Sequence, residues 1–210
     1  LKAHYNPKSV SSRARAEYDR GVKDLEENRP EEALVRFEMA TAHDEFFTEA
    51  LERMGMIHLS RGALDLAEEA FRKALATDPY SYRSLSNLGT ILLNRQEGAE
   101  SFGYCELAVR VRPQDPQARY HLAMSCYQLD RLDQALAELQ KEKVLEPSHF
   151  TQPQLLSAEI YRLTKNYDAM IRELEDFLSA YPADPKGEQV RQALEEAKRS
   201  AADRETDSGR

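Results

Sequence analysis

The stretch that decides the fold is residues 48–81, TEALERMGMIHLSRGALDLAEEAFRKALATDPYS. Two apolar stripes at helical spacing lie on either side of residues 60–62, which is typical of two amphipathic helices joined by a tight turn. Gly55 is small enough to let the two helices approach closely, and Phe71 is large enough to fill the space between them. Pro79 ends the second helix, because proline cannot continue a helix. The stretch therefore predicts a helical hairpin with one face left to bury.

The hairpin recurs along the chain at a step of 34 residues. Its small, large and proline positions, Gly55, Ala67, Phe71, Ala74 and Pro79, become Gly89, Ser101, Cys105, Ala108 and Pro113 one step on. A second step gives Ala123, Ala135, Leu139, Glu142 and Pro147, and a step backwards from the first four gives Gly21, Ala33, Phe37 and Ala40. A repeated hairpin can bury its open face against the next copy, so the spacing predicts an array of stacked hairpins.

The pattern resembles the tetratricopeptide repeat (TPR), a 34-residue helix-turn-helix unit with small, large and terminal proline positions at these places. The resemblance covers residues 14–184, and a bacterial origin is expected. It implies an all-α fold, a right-handed superhelical solenoid of five TPR-like hairpins with a C-terminal capping helix. The repeats are predicted at 14–47, 48–81, 82–115, 116–149 and 150–184, the last with its register slipped by one residue.

The two ends of the chain differ from the repeats. Residues 1–13 lack helical periodicity and are predicted to be an extended lead-in. Asp184-Pro185 is a helix start signal, and an apolar face from Val190 to Ala197 follows it, so residues 185–200 are predicted to form the capping helix. The repeats and this helix are expected to make one array over residues 14–200. Residues 201–210 are predicted to be a disordered tail.

Composition restricts the classes of partner. The formal net charge is −8, which disfavours nucleic acid, because binding to phosphates depends on Lys and Arg. A neutral or basic peptide is the easier partner. No run of 18 apolar residues exists, so no membrane span is expected. The chain begins at Leu1 rather than Met, from which we expect that an upstream segment has been removed; both a cytoplasmic and an exported or periplasmic location stay open.

The sequence offers no case for catalysis. The five histidines form no HxxxH motif and no His/Cys pair at ligand spacing, so no metal site and no cofactor are expected. No nucleophile, phosphate-loop or dinucleotide motif lies in a suitable strand-turn-helix context. Cys105 and Cys126 are predicted to be small buried hydrophobes, with a bridge in an oxidising compartment as the alternative. Glu142 falls at a small buried position; we expect the helix end to shift so that Glu142 reaches solvent, with a buried carboxylate paired to Lys141 or Lys143 as the alternative.

The resemblance implies a partner-binding concave surface lined by the first helix of each hairpin. Its predicted residues are Tyr18, Glu49, Glu52, Met56, Leu59, Arg83, Ser86, Asn87, Thr90, Asn94, Tyr120, Met124, Tyr127 and Gln128. Tyr120, Met124 and Tyr127 share one helix face and could hold an apolar or aromatic peptide side chain. The alternative is that these three pack against neighbouring helices as core.

One well-defined ligand mode of the family is excluded by residue type. In that mode Lys, Arg and Asn side chains hold the C-terminal carboxylate of a chaperone tail. The matching positions here are Glu52, Met56, Asn87, Gln117 and His121, of which only Asn87 agrees. The predicted function is therefore a non-catalytic scaffold for protein–protein interaction. The alternative is a structural or assembly module of a larger bacterial envelope or exported protein, with the repeats as a structural spacer or a self-association surface.

Overall fold

The computed structural model describes residues 10–145 and 152–208, which form eleven α-helices. The helices are α1 (Ser12–Glu26), α2 (Pro30–His43), α3 (Thr48–Ser60), α4 (Leu64–Thr77), α5 (Tyr82–Asn94), α6 (Gly98–Val111), α7 (Pro116–Gln128), α8 (Leu132–Leu145), α9 (Pro153–Leu163), α10 (Tyr167–Ala180) and α11 (Gly187–Ser208). Consecutive helices pair into five hairpins, α1–α2 to α9–α10, each with an A helix followed by a B helix. None of the described helices is long and apolar enough to cross a membrane.

The hairpins are divided between two compact units, Leu1–Arg112 and Pro113–Arg210. Unit 1 holds the first three hairpins, and unit 2 holds the other two together with α11. The boundary between the two units lies inside the array predicted over residues 14–200. The division follows α6, whose core positions carry the small side chains Ser101 and Cys105. The 34-residue spacing continues through this point unchanged, so spacing alone does not reveal it.

Small and large residues meet within each hairpin of unit 1, as the sequence predicts. A Cβ atom added to Gly55 would lie 2.7 Å from Cε1 of Phe71, and a Cβ added to Gly21 would lie 2.7 Å from Cε1 of Phe37. The third hairpin repeats the pairing with Gly89 and the Cys105 sulfur. The A and B helices therefore approach closely only because these A-helix positions lack a side chain. The residues at the predicted large position, Phe37, Phe71 and Leu139, are all buried.

Arginine side chains link successive hairpins of unit 1 at the same repeat position. Arg61 pairs with Glu31, and 34 residues later Arg95 pairs with Asp65 at 2.6 Å. Arg95 also contacts Glu68, which receives a second hydrogen bond, 2.7 Å long, from Arg72. Burial alone would raise the pKa of the Glu68 carboxyl, but the hydrogen bonds from Arg72 and Arg95 outweigh it and lower that pKa. The repeat spacing therefore applies to surface ion pairs as well as to core residues.

The ends of the chain depart from the predictions. α1 begins at Ser12, capped by the Ser11 hydroxyl, so helix starts two residues earlier than the predicted lead-in allows. The predicted disordered tail from Ala201 is wrong, because α11 continues to Ser208. No glycine or proline interrupts that segment, alanines favour helix, and Arg204 donates a 2.9 Å hydrogen bond to the Lys165 carbonyl. The capping helix starts at Gly187 rather than at residue 185, because the Asp184 carboxylate accepts a turn hydrogen bond from the Lys186 amide.

Three predicted features fall on residues outside the described ranges. They are the lead-in over residues 1–9, the boundary between the fourth and fifth repeats within 146–151, and the last two residues of the tail.

The expected solvent exposure of Glu142 is also wrong. α8 runs without interruption from Leu132 to Leu145, and Glu142 is fully buried in it. The two neighbouring lysines pair with other carboxylates: Lys141 pairs with Glu138 at 2.6 Å, and Lys143 pairs with Glu173. Helical periodicity keeps position 142 on the core side whatever its side chain, because a shift would also expose Leu139.

Candidate functional site

The three A helices of unit 1, α1, α3 and α5, present the predicted binding residues on one side. This side is here called the A-helix face. It consists of the side of α3 that carries Glu49, Glu52 and Met56, together with the matching sides of α1 and α5. Arg15 of α1 lies 3.8 Å from Glu49 of α3. Arg83 of α5 lies 3.4 Å from Glu52 of α3. These ion pairs link neighbouring A helices and show that the three helices lie side by side. Apolar residues such as Leu51 and Leu85 are buried on other sides of the same helices, which leaves the polar positions facing solvent.

Glu52 acts as a connector between α3 and α5. Its side chain is largely buried and accepts hydrogen bonds from the hydroxyls of Ser81 and Ser84, the second at 3.4 Å. Ser81 is also the N-cap of α5, accepting from the Ser84 amide at 3.2 Å. A carboxylate at a helix N-terminus is further stabilised by the helix dipole. Glu52 therefore fixes the position of α5, a role that the repeat register alone does not reveal.

Two predicted face residues are packing residues in the structure. The ring of Tyr18 lies 5.5 Å from that of Phe37 and 5.0 Å from that of Phe47, centroid to centroid. Leu59 is partly buried against the cluster that contains Phe71 and Leu88. Both side chains support the A-helix face from beneath, and neither is among its exposed groups.

The exposed part of the A-helix face is small and mostly polar. Met56 is 37% exposed, and Asn94 is exposed at the end of α5. Between them, Asn87 donates a 2.8 Å hydrogen bond to the Arg83 carbonyl, and Thr90 donates to the Ser86 carbonyl at 2.9 Å. The face therefore offers one flexible apolar side chain next to amide and hydroxyl groups, a combination that suits a peptide segment.

The A helix α7 of unit 2 carries the remaining predicted residues. Tyr120, Met124, Tyr127 and Gln128 are all half-buried. Burial raises the pKa of the Tyr120 hydroxyl, and the nearby charge of Glu142 raises it further. Hydrogen bonds from Arg162 and then Tyr127 lower the pKa of the Glu159 carboxyl, which ties α7 to α9. The aromatic side chains of α7 thus take part in packing and still reach the surface.

His121 on α7 gives unit 2 a pH-dependent contribution to stability. Burial lowers the pKa of its imidazole, and the Asp115 carboxylate only partly opposes this. Since the folded pKa lies below the unfolded value of about 6.5, the unfolded state takes up the proton first. The stabilising contribution is complete above pH 6.5 and is lost as the pH falls through the folded pKa.

We expect His121→Gln to reduce the loss of stability between pH 7.5 and pH 5.0, because glutamine does not titrate in this window. Urea unfolding at each pH, followed by circular dichroism, measures the difference. The matched control is His43→Gln at the exposed end of α2. This variant should lose as much stability between pH 7.5 and pH 5.0 as the parent protein does. Equal losses in the parent and the His121 variant would contradict the role given to His121.

Two family models match the chain. The model described as Tetratricopeptide repeat matches residues 18–82, and the model described as Anaphase-promoting complex, cyclosome, subunit 3 matches residues 60–142. The chain is a tetratricopeptide-repeat protein. The first match spans most of the first two hairpins, which contain the small-to-large pairings at Gly21 and Gly55. No curated protein sequence is significantly similar to this TPR protein.

Several solved structures share the fold. YrrB, described as a TPR protein with an unusual peptide-binding site, has a TM-score of 0.79 at 20% identity, over 85% of this chain and 92% of its own. MamA 41-end from Desulfovibrio magneticus RS-1 has a TM-score of 0.75 at 19% identity, over 84% of this chain and 99% of its own. A thermophilic TPR protein from Thermus thermophilus has a TM-score of 0.57 at 19% identity, over 88% of this chain and 98% of its own. These likenesses confirm the predicted all-α TPR fold.

Proposed function

We propose that this TPR protein is a non-catalytic scaffold and that the A-helix face of unit 1 binds a segment of a partner protein. The observation that carries the proposal is the set of three A helices that lie side by side and are linked by the Arg15–Glu49 and Arg83–Glu52 ion pairs. They present exposed Met56 and polar groups of α5 to solvent. YrrB, which shares the fold, is described as having a peptide-binding site.

The mechanism is passive recognition by a surface formed before binding. Glu52 is held by Ser81 and Ser84, so α3 and α5 do not have to be brought together when a partner arrives. Less conformational freedom is then lost on association, which favours affinity. Asn94 can donate to and accept from a peptide backbone, while Met56 adapts to apolar side chains. The net charge of −8 on the chain favours a neutral or basic segment.

The test uses peptides selected from a random library against the full chain and then titrated by fluorescence anisotropy. We expect Met56→Ala/Asn94→Ala to weaken their binding at least tenfold, which corresponds to about 1.4 kcal/mol. Met39→Ala is the matched control, because Met39 of α2 is 40% exposed, close to the 37% of Met56, and lies outside the A-helix face. Peptides that bind the double variant as tightly as the parent protein would contradict this site.

Self-association, the alternative function, predicts different behaviour. Each copy of the chain has a net charge of −8, and like charges oppose the association of two copies. Light scattering over a range of concentrations separates the two functions. A dimer that forms with increasing concentration would favour the assembly module.

A further inference from the structure

Unit 1 has a cleft on its other side, here called the α2–α4 cleft. Its volume is about 690 Å³. α2 and α4 form its walls, and α3 forms its floor. The lining residues used below are Glu38, Glu45, Phe46, Leu66, Glu69 and Lys73.

The α2–α4 cleft is separate from the A-helix face. The floor residues Leu51, Met54 and His58 come from the same helix as Glu52 and Met56. Successive residues of an α-helix are rotated by about 100°, so the two sets point to nearly opposite sides of α3. A partner in the cleft would therefore leave the A-helix face open.

Comparison with the next hairpin shows that a cleft of this volume is not a general property of the repeat. A second cleft in unit 1 is lined by residues 34 positions further on, and its volume is only about 420 Å³. There Tyr104 stands in place of Ala70, with its hydroxyl accepting a 2.9 Å hydrogen bond from Arg72. Glu100 replaces Leu66 and pairs with the same arginine. In the α2–α4 cleft, small and apolar residues leave the space open.

Large apolar side chains line the α2–α4 cleft and reach solvent. Phe46, in the loop before α3, is 50% exposed, and Leu66 of α4 is equally exposed. Exposed apolar side chains grouped around a depression are typical of interaction sites, whereas single ones are common on any surface. Leu51, Met54 and Leu66 would contact the apolar side of a docked segment.

The rim of the cleft is acidic. Glu69 is neutralised by Lys73, whose ammonium lies 2.6 Å from its carboxylate. Glu38 and Glu45 are exposed, and within the part of the chain that the structure describes neither makes an ion pair. Two unneutralised carboxylates beside an apolar depression complement lysine or arginine side chains on a partner.

We infer that the α2–α4 cleft docks a basic amphipathic helix of a partner protein, with leucine-like side chains in the cleft and Lys or Arg against Glu38 and Glu45. The cleft floor is itself one side of a helix, with Leu51, Met54 and His58 at the spacing that a second helix packs against. A second copy of this acidic chain, with a net charge of −8, is disfavoured as the occupant because it brings further carboxylates. This second surface goes beyond the peptide site proposed on the A-helix face.

The probe is a fluorescein-labelled peptide of leucine and lysine, about four helical turns long with leucines at helical spacing, titrated into the full chain by anisotropy. Leu66→Lys should weaken binding at least tenfold, because it places a charge in the cleft. Val35→Lys is the matched control: Val35 of α2 is 53% exposed against 50% for Leu66, and it lies outside the cleft. That variant should stay within about twofold of the parent protein.

Two further measurements test whether binding requires a basic peptide and whether the peptide binds in the α2–α4 cleft. A peptide with glutamate in place of every lysine should bind at least tenfold more weakly, while Met56→Ala/Asn94→Ala should bind the leucine–lysine peptide like the parent protein. The inference is overturned by any of three results: equal loss in the Leu66 and Val35 variants, loss in the A-helix-face variant instead, or a concentration-dependent dimer that the peptide competes with.

Discussion

Phe71→Ala is expected to lower the unfolding free energy of unit 1 by about 3–5 kcal/mol. The Phe71 ring is fully buried in a cluster with Leu88, Ile91 and Leu92 of α5. It also fills the space above Gly55, within 2.7 Å of where a Cβ would lie. Removing the ring leaves a cavity that helices held on both sides cannot close, so the lost contacts add to the lost burial.

Urea unfolding followed by circular dichroism measures this change. Phe46→Ala is the matched control, since it removes the same side chain from a position that is 50% exposed. Exposed substitutions of this kind usually change stability by about 0.5 kcal/mol or less. Equal destabilisation by the two variants would show that the ring of Phe71 does not carry the packing of the second hairpin.

Gly55→Ala is expected to destabilise unit 1 by about 1–3 kcal/mol, although alanine normally stabilises a helix interior. The new Cβ would lie 2.7 Å from Cε1 and 2.8 Å from Cζ of Phe71, closer than van der Waals contact allows. The ring has no free direction to move, because it is buried on every side. Either the ring or the axis of α3 has to shift.

Gly103→Ala provides the control with the opposite sign. Gly103 lies inside α6, and a Cβ there would meet nothing within 4 Å. The substitution should therefore show only the helix preference of alanine and stabilise the protein by about 1 kcal/mol. Thermal and urea unfolding of both variants give the comparison. A Gly55→Ala protein as stable as the Gly103→Ala protein would contradict the close approach of α3 and α4.

The fold was predictable because repeat spacing and residue size act locally. Gly55 and Phe71 lie within one hairpin, and the same pairing at Gly21 and Phe37 follows from the 34-residue step. Glu142 shows where such reasoning fails. Its side chain suggested exposure, but its position on α8 is set by the apolar residues around it, which keep it buried. The tail is helical as far as Ser208 because no glycine or proline interrupts it, which its terminal position does not reveal.

The repeat register predicts which residues lie on the A-helix face, but it does not predict what each side chain contacts there. The repeat register places Glu52 on the A-helix face, yet its partners Ser81 and Ser84 come from the next hairpin and depend on side-chain geometry. The α2–α4 cleft was not predicted. Two signals for it lie in the sequence, the exposed Leu66 on the side of α4 that it shares with Glu69 and Lys73, and Ala70 where the next hairpin has Tyr104.

Amide hydrogen exchange of the full chain, with and without a library-selected peptide, tests the scaffold proposal most directly, because it maps the bound surface without any substitution. If the A-helix face of unit 1 binds the peptide, exchange should slow in α3 and α5, residues 48–60 and 82–94, and remain unchanged in the B helix α6. Slower exchange confined to B helices, or no change in α3 and α5 at saturating peptide, would contradict it.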